Sequence, residues 1–168
     1  MTAASAEHPS GRRPTSPPTA LDVYLGALPM VRDPALRNEA TTRRGQVRLG
    51  PKYDLLSPRA QRAVLIHEAA HLAGLDDWFL RTHDDWDLAA RTRFGHLNGQ
   101  TTPGEILAEA FALAWDDPAG LRHHAPTLIP IVREGALASG LPVPPLAIAP
   151  PRPRRHRLRS GPAPVGLS

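Results

Sequence analysis

One segment of the chain carries both a start and a stop signal for an α-helix, and it constrains the fold most. Ser57 is a good N-terminal cap and Pro58 suits the first helical position, while Gly74 is typical of the residue that ends a helix. The sequence therefore predicts a helix that begins at Pro58 and ends before Gly74. Apolar side chains at helical spacing form its expected buried stripe, namely Val64, Leu65, Ala69 and Leu72.

The same helix contains the segment His67-Glu68-Ala69-Ala70-His71. Residues four apart lie on the same helix face, so both imidazoles can reach one metal ion. Neutral imidazole is a good ligand for Zn²⁺, and a catalytic zinc ion has three protein ligands and a water. Glu68 lies beside His67, where its carboxylate can take a proton from the zinc-bound water as a general base. The alternative is a helix with two solvent-facing histidines and a salt-bridging glutamate.

A zinc site of this kind needs a third protein ligand, for which Glu105 is the first candidate. Glu105 lies in a second predicted helix that starts at Thr102 and ends near Trp115, and it shares a face with Ala108, Glu109 and Ala112. Small alanines on that face favour a close approach of the two helices. Thr102 and Glu105 also match a capping box, in which Glu105 would only cap its own helix.

Asp77 is the alternative third ligand. Counted from His67, it completes the spacing His-Glu-x-x-His-x-x-Gly-x-x-Asp that metzincin-like enzymes use. Those enzymes need a methionine turn downstream of the helix, whereas both methionines here, Met1 and Met30, lie upstream. Gly74 is already explained as a helix stop. The residues therefore favour Glu105 and leave Asp77 as the alternative.

The other segments indicate an α+β fold. Residues 45–49 alternate, with Val47 and Leu49 on one face, so they predict a strand with one wet side. We expect a small twisted sheet to pack on the helix that carries His67 and His71, while the Glu105 helix closes the far side of the metal. Further expected elements are a strand in residues 21–30, a polar irregular stretch in 76–101 and a weaker helix in 127–138.

Proline and arginine separate this core from two tails. Of the 20 prolines, 12 lie within residues 1–20 and 141–168. We therefore expect a disordered N-terminal tail (1–20), one folded domain (21–140) and a disordered Pro/Arg-rich tail (141–168). Five arginines between residues 152 and 159 exceed the whole net charge of +4, so the core is nearly neutral. Nucleic acid or anionic lipid bound by this tail is an alternative partner, but not the favoured one.

Composition excludes several classes of protein. The chain has no cysteine, which excludes disulfides, thiolate metal sites and thiol nucleophiles. No apolar run approaches 18 residues, so no transmembrane helix is expected, and the N-terminus lacks the apolar region of a signal peptide. We expect a cytoplasmic monomer by default, with non-classical export as the alternative.

Residues 21–137 resemble the catalytic domain of anthrax lethal factor and its short phage and bacterial relatives, which are gluzincin zinc metallopeptidases with a zincin-like fold. The resemblance rests on the strand at 45–49, the His67-to-His71 motif, the run at 101–111 and the segment at 121–127. It implies Zn²⁺ bound by His67, His71 and Glu105, with Glu68 as the base that activates the water for hydrolysis of a peptide or protein substrate.

The resemblance also implies supporting roles. It makes Glu109 a hydrogen-bond partner of a ligand histidine. It makes the strand at 45–49 an edge strand that holds an extended peptide by strand addition. The chain departs from the family where a tyrosine normally stabilises the oxyanion, because Asn98 occupies that position and His96 lies two residues earlier. Either residue is a candidate donor, and a non-catalytic zinc protein that only binds peptides is the alternative.

The segment that begins at Glu105 also resembles the ImmA/IrrE-type regulatory proteases, which cleave repressors and have the same site residues. No DNA-binding domain that would mark such a protein is evident in the sequence. Both resemblances imply the same zinc site, so they differ in the biological role and not in the chemistry.

Overall fold

The computed structural model describes residues 17–83 and 102–146. These residues form an α+β fold of six α-helices and one three-stranded mixed sheet. None of the helices in the described ranges has the length and apolar character needed to cross a membrane. The elements in chain order are α1 (Ala20–Gly26), β1 (Met30–Arg32), β2 (Ala40–Arg43), β3 (Gln46–Leu49), a 3-10 helix (Pro51–Leu55), α2 (Pro58–Leu72), α3 (Leu75–Thr82), α4 (Pro103–Asp116), α5 (Pro118–His124) and α6 (Leu128–Ala138).

The sheet has the strand order β1-β3-β2, with β3 parallel to β1 and antiparallel to β2. The predicted strand is therefore confirmed, and Val47 and Leu49 are buried as expected. Its predicted place at an edge is wrong, because β3 lies between β1 and β2, which are the outer strands of the sheet in the part of the chain that the structure describes. The reason is the tight turn at Arg44 and Gly45, where both residues have positive φ and fold β2 back onto β3.

The strand predicted in residues 21–30 is wrong over most of its length, since this stretch contains α1 and only the first residue of β1. A capping box begins α1: the hydroxyl of Thr19 accepts from the amide of Asp22, and the carboxylate of Asp22 accepts from the amide of Thr19. Leu21 and Leu25, four residues apart, are the buried side chains of this helix. Local capping and a helical period therefore decide this segment.

The predicted limits of α2 are confirmed. The hydroxyl of Ser57 accepts from the amide of Ala60, and Gly74 ends the helix in the left-handed region with φ of 72°. Of the four residues of the expected stripe, Ala69 is buried, and Val64, Leu65 and Leu72 are partly buried and pack against the core. Helix α2 packs against α4 on one side and against β2 and β3 on another, which adds further residues to the buried set. The residues buried on α2 are Ile66, Glu68, Ala69 and Ala70.

Two further segments differ from the expectations. Residues 75–82 form α3 instead of an irregular stretch, because Leu75 and Phe79 bury one face of a short amphipathic helix. The core also continues past residue 140, where Leu141 and Leu146 are buried and the Arg133 guanidinium donates to the Leu146 carbonyl at 3.0 Å. The expected domain limit at 140 therefore falls within the packed part of the chain. Helices α4 and α6 match the predicted positions.

Candidate metal centre

Helices α2 and α4 pack against each other along an open cleft, whose other wall contains β2. The two helices bury alanines, namely Ala69 and Ala70 on α2 and Ala108 and Ala112 on α4. Such small side chains permit a close approach of the helix backbones, as the sequence predicts. This approach places the polar residues of α2 opposite those of α4 at the cleft.

Three of the predicted ligands converge at this place. The Nε2 atoms of His67 and His71 are 3.1 Å apart, and the carboxylate of Glu105 faces both of them. Glu105 Oε2 lies 3.1 Å from His67 Nε2, and Glu105 Oε1 lies 3.4 Å from His71 Nε2. With one ligand atom taken from each residue, all three atoms lie within 4.8 Å of one another.

The donor set fits a zinc ion. Two imidazole nitrogens and one carboxylate oxygen are ligands that zinc accepts in catalytic sites, where a fourth position remains for water. A tetrahedral ion with bonds of about 2.0–2.1 Å holds its ligand atoms roughly 3.3 Å apart. The separations of 3.1 and 3.4 Å at this site are close to that value. The half-exposed side chain of Glu105 keeps the group open to the cleft.

The protonation of the group in the absence of a cation follows from the same contacts. Burial by itself would lower the pKa of His67, but the hydrogen bond to Glu105 and the negative charge of the nearby Glu109 and Glu68 carboxylates outweigh it and raise that pKa to about 9. The hydrogen bond from His67 in turn lowers the pKa of the Glu105 carboxyl, even though burial opposes this shift. Negative charge therefore accumulates where the ligand atoms meet, and a proton held by His67 partly balances it.

Each ligand histidine also has a carboxylate near its other ring nitrogen. Glu109 Oε2 lies 3.6 Å from His67 Nδ1, and Asp76 Oδ2 lies 3.8 Å from His71 Nδ1. Both separations exceed a hydrogen bond, so the interactions are electrostatic at these distances. A carboxylate in this position favours the tautomer that presents Nε2 as a metal ligand. Glu109 thus lies next to His67, at a distance longer than the hydrogen bond that the resemblance implies.

Glu68 lies beside the ligands and is 8 % exposed, although it lines the cleft. Its carboxylate does not belong to the group of three converging ligands. The hydroxyl of Thr42 on β2 lies 2.8 Å from Glu68 Oε2 and 3.0 Å from the main-chain carbonyl oxygen of Glu68. The structure therefore places the Glu68 carboxylate next to the three candidate ligands and outside their group.

Of the other predicted site residues, Asp77 lies in the described part of the chain, whereas His96 and Asn98 do not. Asp77 is exposed on the first turn of α3 and is outside the converging group, whereas the neighbouring Asp76 lines the cleft. Glu105 was also a candidate for capping its own helix. The hydroxyl of Thr102 accepts from the Glu105 amide at 3.3 Å and so caps α4, while the Glu105 carboxylate faces the histidines.

Sequence reasoning missed Thr42 and Asp76 as residues near the site. Thr42 belongs to a strand that was not predicted, although two threonines before a glycine turn and the alternating residues of β3 are a hairpin signal. Asp76 belongs to α3, whose apolar pair at positions 75 and 79 was the signal for a helix.

Comparisons with protein-family models, curated proteins and solved structures found no match. A functional interpretation therefore depends on the geometry of the site.

Proposed function

We propose that this protein is a zinc-dependent endopeptidase of the gluzincin type, with a zincin-like arrangement of its helices. The observation that carries the proposal is the convergence of His67, His71 and Glu105 in an open cleft, with Glu68 beside them. These three residues would hold the zinc ion, which when bound would supply a polarised substrate carbonyl and a water of lowered pKa.

Glu68 takes the proton of the attacking water and later delivers it to the amine that leaves. Three features of its position favour this role. Glu68 follows His67 on α2, its side chain is mostly shielded from solvent, and it still lines the cleft. Donors for the developing oxyanion are expected from His96 or Asn98, as the sequence indicates.

The substrate strand is proposed to lie along β2 and not along β3. The central strand β3 has partners on both sides, whereas β2 has no second partner strand among residues 17–83 and 102–146, and its residues Ala40 to Thr42 line the cleft. An extended peptide added to β2 would satisfy main-chain groups along that edge and cross the front of the metal ligands. Residues 38 and 39, just before β2, continue the same wall of the cleft.

The proposal is tested with the pair Glu68→Gln and Glu134→Gln, where the exposed Glu134 on α6 serves as the matched control. Each protein is loaded with zinc, analysed for bound metal, and incubated with a pool of fluorescence-quenched random decapeptides. We expect Glu68→Gln to keep its zinc and to lose at least about 100-fold of the cleavage rate, because a general base contributes about 10²–10⁴-fold. The control is expected to match the wild type.

Two results would overturn the assignment. Cleavage at the wild-type rate by Glu68→Gln would remove Glu68 from the mechanism. A wild type that holds zinc and binds peptides without cleaving them would favour the non-catalytic alternative. Repressor proteins as substrates would instead point to the ImmA/IrrE-type role with the same chemistry.

A further inference from the structure

Among the described residues, Thr42 makes the one hydrogen bond between the sheet and the Glu68 carboxylate. Its hydroxyl lies 2.8 Å from Oε2 of Glu68 and 3.0 Å from the carbonyl oxygen of the same residue, across a sequence separation of 26 residues. Both residues line the cleft that contains the metal ligands. A single side chain of β2 therefore meets both the main chain and the side chain of Glu68.

The chemistry of this contact favours the carboxylate as the acceptor. A hydroxyl has one proton to donate, and hydrogen bonds to an ionised acceptor are shorter and stronger than those to a neutral carbonyl. The observed distances follow this order, with the carboxylate oxygen nearer than the carbonyl. A carboxylate as buried as that of Glu68 also needs a donor to offset its loss of hydration. Thr42 supplies this donor to one oxygen and leaves Oε1 for another partner.

We propose that Thr42 is a positioning residue for Glu68, which holds the carboxylate in the orientation that accepts a proton from the attacking water. This inference rests on the proposed function of Glu68 as a base. It also connects the base with the substrate strand, because Thr42 lies on β2, the edge along which the peptide is proposed to bind. The register of β2 against β3, in which Thr42 is opposite Val47, thereby sets the place of the donor.

A merely structural role would have a different signature. If Thr42 only tied β2 to α2 through the Glu68 carbonyl, its loss would lower the free energy of unfolding and leave the Glu68 side chain in place. If Thr42 positions the carboxylate, its loss would redistribute the Glu68 side chain and slow the chemical step, while the metal ligands stay as they are. Thr42→Val separates these roles because valine has nearly the shape of threonine, favours strands and has no hydroxyl.

The test compares wild type, Thr42→Val, Thr42→Ser and, as control, Thr127→Val. The exposed Thr127 precedes α6 and its side chain makes no capping hydrogen bond. For each zinc-loaded full chain, bound zinc, the free energy of unfolding, and kcat and KM on the best-cleaved decapeptide are measured. Crystal structures of the same four proteins report the Glu68 side-chain position.

We expect Thr42→Val to lower kcat by about 10–100-fold with little change in KM or bound zinc, since a displacement of about 1 Å can cost about 100-fold. Thr42→Ser retains the hydroxyl and is expected to restore most of kcat, with Glu68 placed as in the wild type. A Glu68 side chain that is unmoved in Thr42→Val overturns the inference, and so does an unchanged kcat. If the wild type cleaves no peptide, the proposed function fails, but the Glu68 position in the variants still decides the role of Thr42.

Discussion

The two walls of the cleft contribute to it in different ways. The helical wall, formed by α2 and α4, carries the three converging ligand residues and Glu68 on closely packed backbones. The sheet wall is the edge strand β2, which contributes main-chain groups and the hydroxyl of Thr42. We therefore expect changes at the three converging residues to alter metal affinity, and changes on the sheet wall to alter the base and the peptide but leave the metal bound.

A change on α3, next to the helical wall, tests the proposed metal site away from its ligands: Asp76→Asn, with Asp77→Asn as its matched control. Asp76 Oδ2 is 3.8 Å from His71 Nδ1, whereas Asp77 is exposed and outside the ligand group. We expect Asp76→Asn to lose about 10-fold in zinc affinity and Asp77→Asn to lose none. Replacing a carboxylate that contacts a ligand histidine typically costs about 10–100-fold in metal affinity, and the long Asp76–His71 distance favours the lower end of that range. Competition with a chromophoric chelator measures both. Equal affinities in the two variants would remove Asp76 from the site.

The turn between β2 and β3 offers a test of the sheet wall, and the expected effect is of intermediate size. Gly45 has a φ of 73°, where a Cβ is strained, so Gly45→Ala is expected to lower the free energy of unfolding by about 1 kcal/mol. Gly26 is at the end of α1 with open space around its Cβ position, so Gly26→Ala is expected to stabilise by roughly 0.5 kcal/mol. Urea unfolding measures both changes.

The variant Gly45→Ala also tests whether the two walls act separately. Because the proposed metal ligands belong to the helical wall, zinc affinity is expected to remain at the wild-type value in Gly45→Ala. A weakened zinc affinity in this variant would show that the sheet wall helps to hold the ligands, against the division of tasks stated above.

The smallest expected effect concerns α1, which is tied to the helical wall by the 3.1 Å ion pair between Asp22 and Arg62 of α2. The hydrogen bonds from Thr19, aided by Arg62, lower the pKa of Asp22 to about 2. Because this folded-state pKa lies below the ordinary value of 3.8, the stabilisation is present above pH 3.8 and is lost as the pH falls through about 2. Added salt is expected to weaken the part due to Arg62.

The corresponding measurement is urea unfolding of wild type and Asp22→Asn between pH 6 and pH 3. Asp22→Asn is expected to be the less stable protein at pH 6, and the difference should shrink as the pH approaches 3. A difference that stays constant over this range would mean that the charge of Asp22 does not contribute.

The helical wall could be predicted from the sequence because its information is local. The cap at Ser57, the stop at Gly74 and the spacing of His67 and His71 act within one helix, and all agree with the structure. Glu105 followed from the need for a third ligand and from the small residues on its helix face. The packing of α2 against α4 is a long-range feature, and the alanines of the two helices are its signal in the sequence.

The sheet wall could not be predicted in the same way, because register and strand order depend on pairings between distant residues. The alternation of β3 revealed a strand and its buried face, but not that β1 and β2 would flank it. Thr42 reaches Glu68 only through this order. For residues 21–30 the deciding signal was local. This apolar stretch is compatible with a helix or a strand, and the capping box of Thr19 and Asp22 selects the helix.

We propose that His67, His71 and Glu105 form one zinc site, so the amount of zinc bound by the protein is the decisive measurement. Elemental analysis is made on wild type, Glu105→Ala and Asp77→Ala after reconstitution with zinc and removal of free metal. We predict about one zinc ion per chain in the wild type and in Asp77→Ala, and a loss of zinc in Glu105→Ala, because a catalytic site needs its third protein ligand. No zinc in the wild type, or a loss in Asp77→Ala instead of Glu105→Ala, would contradict the account.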